Sequence, residues 1–332
     1  MRLLGWFLAA LVVLVAALPW IVGGERRRLD AAARMRFPCS YVNLRDGYTC
    51  YELDGEAPAP LVVFVHGLNS PSYVWRELAA KVREAGFLTL TYDLYGRGGS
   101  DRPWADYDLD LFDHQLDALL RKTGVQGKVH LVGLSMGGII ATEFALRHPD
   151  MAASVALVDP GGLAVELPKG AGLLTFPVLG DWLVQVTGER LLVAGHSGLV
   201  HDKRLVPGLV LQFLPQLEYA GYKRAFLSTL RHMPLADFTG RYAELGRSGL
   251  PVTLFWGDQD EVTPLAGAKL ATSLVPSARL HVVEGAGHLA SYEKPDEVAR
   301  ELVPFLRGVD APAQAPDPDA RARGRRGGKQ EE

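Results

Sequence analysis

Short apolar runs alternate with stretches of helical periodicity along most of the chain, and no other feature restricts the fold as strongly. "LVVFVHG" (61–67), "FLTLTYDL" (87–94), the run of Val129, Leu131 and Val132, "SVALVDP" (154–160), "LPVTLFWGD" (250–258) and "ARLHVVEG" (278–285) are nearly continuous in apolar side chains. Each therefore predicts a strand covered on both faces. Helical patterns over 74–85, about 109–121 and near 296–307, and another directly after Ser135, separate or follow these runs. Such alternation predicts an α/β fold with a mostly parallel sheet flanked by helices. Ahead of it, "SYVNLRDGYTCYEL" predicts a hairpin turning at Asp46-Gly47, with Arg45 opposite Tyr48. In that register Cys39 and Cys50 are out of step, which argues against a disulfide across the ladder.

Composition bounds the partners. The net charge is −3, and the basic clusters "ERRR" (25–28) and "RARGRRGGK" (321–329) have no interleaved aromatics, so no nucleic-acid partner is expected. No His or Cys cluster has metal-ligand spacing, so no metal is expected. "LLGWFLAALVVLVAALPWIVGG" (3–24) is uncharged and long enough to cross a hydrocarbon core. It predicts a transmembrane anchor over residues 1–24, with a cleaved signal sequence as the alternative. Residues 25–36 then form a basic juxtamembrane spacer. Arg26, Arg27, Arg28, Arg34 and Arg36 all follow the apolar run, which places the globular domain on the cytoplasmic side, the alternative being secretion or an extracytoplasmic position. Residues 309–332, rich in Pro, Gly and charge, predict a disordered tail. Between the strands at 154–160 and 250–258, residues 161–249 hold helical segments and no comparable strand, which predicts a helical lid inserted after the sixth strand; the core is then 37–160 and 250–308.

The chemistry should lie at the carboxyl ends of the strands, where doubly wound sheets bind ligands. Those ends carry "HGLN" (66–69), "DLYGRGGSD" (93–101), "GLSMG" (133–137), "DPGG" (159–162), "WGDQDEVTP" (256–264) and "GAGH" (285–288). Ser135 sits in a Gly-x-Ser-x-Gly between a buried strand and a helix, where Gly133 and Gly137 remove the Cβ atoms that would clash in a strained turn. A serine hydroxyl becomes nucleophilic when an imidazole takes its proton and a carboxylate holds the other ring nitrogen. His288, on the loop after the last strand, fits the base. Asp260 fits the acid in the chain order serine, aspartate, histidine. Asp159, at an earlier strand end, is its rival, and Asp258 in the same loop is a second alternative. The oxyanion would be met by the backbone N–H groups of Met136 and of Leu68, which follows Gly67; His66 fits a structural role in orienting that loop. In the insert, the apolar stretch 173–186, including Leu183 and Val186, is expected to form a wall of the acyl pocket.

"FVHGLN", "DLYGRGGSDRP", "LVGLSMGG", "WGDQDEVTP" and "EGAGH", in that order, resemble the successive signatures of the α/β-hydrolase family, specifically its lipase, esterase and monoacylglycerol-lipase-like branch. The resemblance spans about residues 48–307 and implies Ser135 as nucleophile, Asp260 as acid, His288 as base, Leu68 and Met136 as oxyanion donors, and no cofactor. "GRGGSD" resembles the family's tight loop behind the nucleophile and is not a phosphate-binding loop, since no Lys-Ser/Thr follows. The family's dehalogenases and epoxide hydrolases place an aspartate where Ser135 stands. What is implied is cleavage of a carboxylic ester, with lipid-like acyl esters favoured by the apolar lid and anchor. A C–C bond hydrolase, a thioesterase and a perhydrolase are enzymatic alternatives, and a non-catalytic ligand-binding or scaffold protein is the alternative of another class.

Overall fold

A computed structural model of the chain describes residue 6 and residues 13–19, 21–163 and 172–315. Eight strands, β1 (Ser40–Leu44), β2 (Gly47–Asp54), β3 (Leu61–Val65), β4 (Leu88–Tyr92), β5 (Val129–Leu134), β6 (Ala152–Val158), β7 (Val252–Gly257) and β8 (Arg279–Val283), form one sheet in the order β1-β2-β4-β3-β5-β6-β7-β8. Strands β3 to β8 pair in parallel, while the β1–β2 hairpin joins β4 antiparallel.

The uninterrupted apolar runs are explained by two cores, one on each face, except at the edge strand β8, expected to be covered on both faces but exposed at Arg279 and Val282. Val63, Val65, Leu90 and Leu131 point to one face, where helices α2 (Leu109–Lys122) and α3 (Met136–Arg147) bury Leu116, Leu119, Ile139 and Phe144. Val62, Phe64, Val132 and Leu134 point to the other, against α1 (Arg76–Glu84) and a C-terminal helix over Pro295–Arg307, which supply Leu78, Val82, Val298 and Leu302. Fully burying one such side chain contributes roughly 1.5–3 kcal/mol, so a polar residue on either face would be costly. A strand with two apolar partners has no polar phase.

Between β6 and β7 the chain is helical. Helices α4 (Leu179–Gly195), α5 (Val206–Phe213) and α6 (Tyr222–His232) share a small core of Leu192, Phe213, Leu217 and Tyr222. The next helix, α7 (Thr239–Arg247), instead buries Tyr242 and Leu245 in the main core beside α3, and the Tyr242 hydroxyl donates to Gly161 O at 2.9 Å. The separate helical unit thus ends before α7, shorter than the expected 161–249. Helices α8 (Ala266–Leu274) and α9 (Pro295–Arg307) follow β7 and β8.

Four expectations from the sequence are corrected. The hairpin turns at Arg45-Asp46, with Leu44 opposite Gly47 and Tyr41 opposite Cys50. Gly47 (φ 141°) serves a close approach instead: a Cβ there would come within 2.8 Å of the Asp101 side chain, whose carboxylate accepts the Tyr48 N–H. The shifted register puts Cys39, just ahead of β1, on the diagonal from Cys50, and the two form a disulfide with Cα atoms 5.7 Å apart. Residues 25–36 are docked and are not a free spacer: Glu25 accepts the Gly221 N–H at 3.1 Å, Arg27 N donates to Glu218 O at 2.9 Å, and Arg34 pairs with Asp101 at 2.7 Å. The start of the tail is also docked, because Gln314 is 2% exposed, exchanges backbone hydrogen bonds with Ala59 and accepts the Gln126 N–H. Residues 316–332 of the expected tail lie outside the described residues. Much of the expected anchor, residues 1–5, 7–12 and 20, also lies outside them; among the described residues no helix is long and apolar enough to cross a membrane.

Candidate active site

Strand β5 ends in a forced turn. Ser135 has φ 53° and ψ −120°, a region that costs a non-glycine residue about 1–3 kcal/mol. The surroundings hold it there: Ser135 N donates to Val158 O at 3.0 Å, and Ser135 O accepts from Gly138 N at 2.9 Å and Gly161 N at 3.1 Å. A Cβ at Gly133 would strike the Gly137 carbonyl, and one at Gly137 the Val65 carbonyl. The two glycines let the strand and helix α3 pass close enough to present the Ser135 hydroxyl at the sheet's carboxyl edge, with Met136 N at the first position of the helix.

The loop after β3 meets this turn from the side. A Cβ on Gly67 would lie 3.2 Å from Ser135 Cβ, so the Gly67–Leu68 peptide runs directly beside the hydroxyl. His66 orients that peptide: its Nδ1–H donates to Gly67 O at 2.7 Å and its Nε2 accepts from Leu94 N at 2.9 Å, a pattern that requires the neutral ring. Burial lowers its pKa to about 4, which keeps it neutral. Arg97, from "GRGGSD", holds the same loop by donating its Nε–H to Leu68 O at 3.1 Å.

The acid and base loops form one hydrogen-bonded unit. His288 Nδ1 lies 2.8 Å from Asp260 Oδ2, with both side chains almost inaccessible. Asp260 Oδ1 accepts from Val262 N and Thr263 N at 2.7 and 2.9 Å, and Oδ2 accepts from the Thr263 hydroxyl at 2.6 Å. Burial works to raise the Asp260 pKa, but the charge and hydrogen bond of His288 and the bonds from Thr263 outweigh it, so this carboxyl titrates below its ordinary range. The Asp260 carboxylate fixes Nδ1 of the His288 ring, so Nε2 is the nitrogen turned away from it.

Asp159, the rival acid, is built into the same unit in a different way. It is fully buried at φ 44°, with Oδ1 accepting from Gly257 N at 2.8 Å and Oδ2 from Ala290 N at 3.2 Å. Burial, and then the negative charge of Asp260, push its pKa well above the ordinary range. Asp258 accepts the Gly285 N–H at 2.7 Å and so bonds to the base loop's backbone. Of the three aspartates weighed from the sequence, Asp260 is bonded to the imidazole.

Other residues had no signal of their own. Thr263 shows itself only as a hydroxyl three residues after an aspartate, a common local turn pattern. Glu293 bonds Gly287 N and the His201 and Asp202 N–H groups at 2.8 Å, tying the base loop to the segment ahead of α5, and nothing in its sequence context marks it. Leu183 and Val186 are half-buried on the flank of α4, whose buried stripe is Gly180, Val184, Gly188 and Leu192. A cavity of about 490 Å³ lies elsewhere, lined by Phe37, the Cys39–Cys50 pair, Tyr73, Gln216 and Tyr219 among others, and not by Ser135, Asp260 or His288. Among the described residues no group of three or more His, Cys, Asp or Glu side chains could hold a metal ion.

Comparison with known proteins bears on the whole arrangement. An uncharacterised protein of Mycobacterium tuberculosis is 30% identical over 296 residues, covering 84% of this chain and 83% of its own. Monoacylglycerol lipase ABHD6 of Rattus norvegicus is 25% identical over 292 residues, 82% of this chain and 83% of that protein. Among solved structures, the enol-lactonase of Burkholderia xenovorans superposes with a TM-score of 0.68 at 21% identity, over 80% of this chain and 99% of that one. The model of the Alpha/beta hydrolase family matches residues 62–301, well over half the chain, and with this fold and these relatives the protein is a hydrolase belonging to the alpha/beta hydrolase family.

Proposed function

We propose that the protein hydrolyses carboxylic esters with lipid-like or medium-chain acyl groups through an acyl-enzyme on Ser135. One observation carries this: the ionised Asp260 bonded to His288 Nδ1, at the same sheet edge as a serine held in a strained turn. His288 Nε2 takes the hydroxyl proton as Ser135 Oγ attacks the acyl carbon, and the carbonyl oxygen becomes an oxyanion facing the N–H groups of Leu68 and Met136. Collapse expels the alcohol, which takes its proton from His288. A water molecule, deprotonated by the same nitrogen, then attacks the acyl-enzyme, and the carboxylic acid leaves as Ser135 recovers its proton.

The acyl preference rests on the name of the rat relative and on the apolar surface of the helical insert, where Leu173, Phe176, Val178, Leu179 and Leu191 are exposed. The insert acts as a lid, with Leu183 and Val186 on the acyl wall. The N-terminal apolar run serves as a membrane tether beside this surface: Val13, Leu14, Ile21 and Val22 are exposed, and Trp182 Nε1 of α4 donates to Val15 O at 2.8 Å. The Cys39–Cys50 disulfide favours an oxidising compartment, so the domain belongs on the extracytoplasmic side and not the cytoplasmic side that the arginines suggest.

The test is turnover of p-nitrophenyl esters from acetate to laurate by the purified protein, with Ser135→Ala alongside and mass spectrometry of a fluorophosphonate adduct. Rising kcat/KM with chain length, lost in the variant, and an adduct on Ser135 are expected. An adduct elsewhere, or faster cleavage of thioesters or of C–C bonds in diketones, would overturn the ester assignment. Protease added to intact cells should reach the domain if it lies outside.

A further inference from the structure

Arg97 is fully buried, and its guanidinium meets no carboxylate among its hydrogen-bond partners. Nε–H donates to Leu68 O at 3.1 Å, NH1 to Tyr95 O at 3.2 Å and NH2 to Thr229 Oγ1 at 2.8 Å, while the rings of Tyr107 and Phe112 lie 5.8 and 5.9 Å from its central carbon. Taking such an ion out of water costs several kcal/mol, normally offset by a buried counter-ion. Here the polar partners are two carbonyls and a hydroxyl, all neutral. Burial lowers the Arg97 pKa to about 10, three units above neutrality, so the side chain stays charged under ordinary conditions.

The partners lie on two different parts of the molecule. Leu68 follows Gly67 beside Ser135, and its N–H is one of the two donors proposed for the oxyanion. Thr229 is on α6 of the insert, where its hydroxyl is committed as a donor to Ala225 O at 2.8 Å and so turns a lone pair to Arg97. The neighbouring backbone repeats the link, since Gly98 N donates to Gln216 Oε1 at 2.9 Å from the segment between α5 and α6. One cation therefore spans from the oxyanion loop to the insert.

We propose that Arg97 is a positioning residue for the oxyanion hole: it fixes the Leu68 carbonyl, on the far side of the residue whose N–H is the donor, makes that geometry depend on α6, and supplies a buried positive charge that complements the tetrahedral oxyanion. The inference rests on Ser135 acting as the nucleophile. A cation preorganised behind the loop that carries an oxyanion donor favours the transition state over the neutral ester. A bracket that only held the loop would need no net charge.

The experiment compares Arg97→Met, Arg97→Lys and Thr229→Val by kcat and KM on p-nitrophenyl butyrate, by affinity for a phenylboronic acid that forms a tetrahedral adduct on the serine, and by Tm. Direct oxyanion donors are worth about 10² to 10³ in rate, so Arg97→Met, acting through one, should lower kcat by about ten- to a hundredfold. KM should stay within about threefold, and boronic acid affinity should weaken in step with kcat. Arg97→Lys should recover most of the lost boronic acid affinity because it keeps the charge. Thr229→Val should cost a few-fold in kcat, and nothing further once Arg97 is gone. A folded Arg97→Met enzyme with unchanged kcat, or boronic acid affinity that Lys does not restore, would overturn the proposal. If Arg97→Met does not fold, Arg97→Lys and Thr229→Val decide: wild-type boronic acid affinity in Thr229→Val, or a loss in Arg97→Lys as deep as its loss of stability, would overturn it. Failure of the wild type itself to react at Ser135 is a separate outcome, which would sink the serine-hydrolase assignment.

Discussion

Strands β6 and β7 lie side by side, and each delivers a buried aspartate to the same edge of the sheet, Asp159 directly after β6 and Asp260 in the loop after β7. Their electrostatic conditions are opposite. Asp260 gathers two backbone N–H groups, a threonine hydroxyl and the imidazole of His288, and these overcome burial to hold it ionised. Asp159 receives two backbone N–H groups and faces the negative charge of Asp260, so burial prevails and its pKa is raised. Two adjacent carboxylates with pKa values driven apart are suited to different tasks, one anionic and one neutral. The anion holds the His288 imidazole at Nδ1. Asp159 braces the backbone, because its two oxygens join Gly257 at the end of β7 to Ala290, two residues beyond His288.

The sharpest way to break this contrast is to neutralise each in turn. Asp260→Asn should lower kcat by about 10⁴, since the amide holds the imidazole in the wrong tautomer and gives no charge to its protonated form. Asp159→Asn, close in shape to a protonated acid, should cost about tenfold or less. Steady-state kcat on a p-nitrophenyl ester measures both. A larger loss at position 159 would exchange the two roles.

Thr263 accounts for part of the difference between the aspartates, because its hydroxyl bonds Asp260 Oδ2 while lying only 3.3 Å from Asp159 O. A hydrogen bond to a charged group is worth about 1.5–3 kcal/mol, so Thr263→Val should lower kcat by roughly ten- to a hundredfold through a less firmly held carboxylate. Combined with Asp260→Asn it should add almost nothing, since the charge it serves is then gone. Additive losses in the double variant would show that Thr263 acts on something else.

How far each part was legible from the sequence follows from how local its cause is. The parallel sheet is written in runs such as Leu61–Val65, because burial on both faces favours apolar residues at successive positions. The Ser135 turn is equally legible, since Gly133 and Gly137 are required by contacts within a few residues and with β3. The choice between Asp260 and Asp159 had chain order and the family resemblance to support it but no local physical signal, because what separates them is the position of His288 and Thr263 in space. The hairpin was misjudged because Asp46-Gly47 is a strong local turn signal, whereas Gly47 answers to Asp101, more than fifty residues away. Arg97 looked like part of a tight loop for the same reason: its partners Leu68 and Thr229 come together only in the folded chain. Local rules recovered what neighbours impose and missed what distant partners impose.

The smallest expected effect, on stability, separates the two carboxylates by the sign of their pH dependence. A carboxyl that is harder to ionise in the folded state than its unfolded value of 3.8 keeps its proton on folding, so stability falls as pH rises from about that value towards the raised folded pKa. Asp159→Asn removes this term while keeping a neutral side chain of similar shape. The Tm of the variant relative to wild type should therefore rise as pH increases above about 3.8 and level off once the pH passes the raised folded pKa. Asp260 behaves in the opposite sense: its folded pKa lies below the unfolded value, its contribution is present above about 3.8 and is lost as pH falls through the lower folded pKa, so the deficit of Asp260→Asn should shrink on acidification below pH 4. The titratable groups acting on Asp159 are Asp260 and Glu293; both remain in the Asp159→Asn protein, which makes the difference curve specific to position 159. Calorimetric Tm values across that range decide it. Parallel curves for wild type and Asp159→Asn would mean that folding does not raise the Asp159 pKa, and the division of labour between the two strand ends would have to be abandoned.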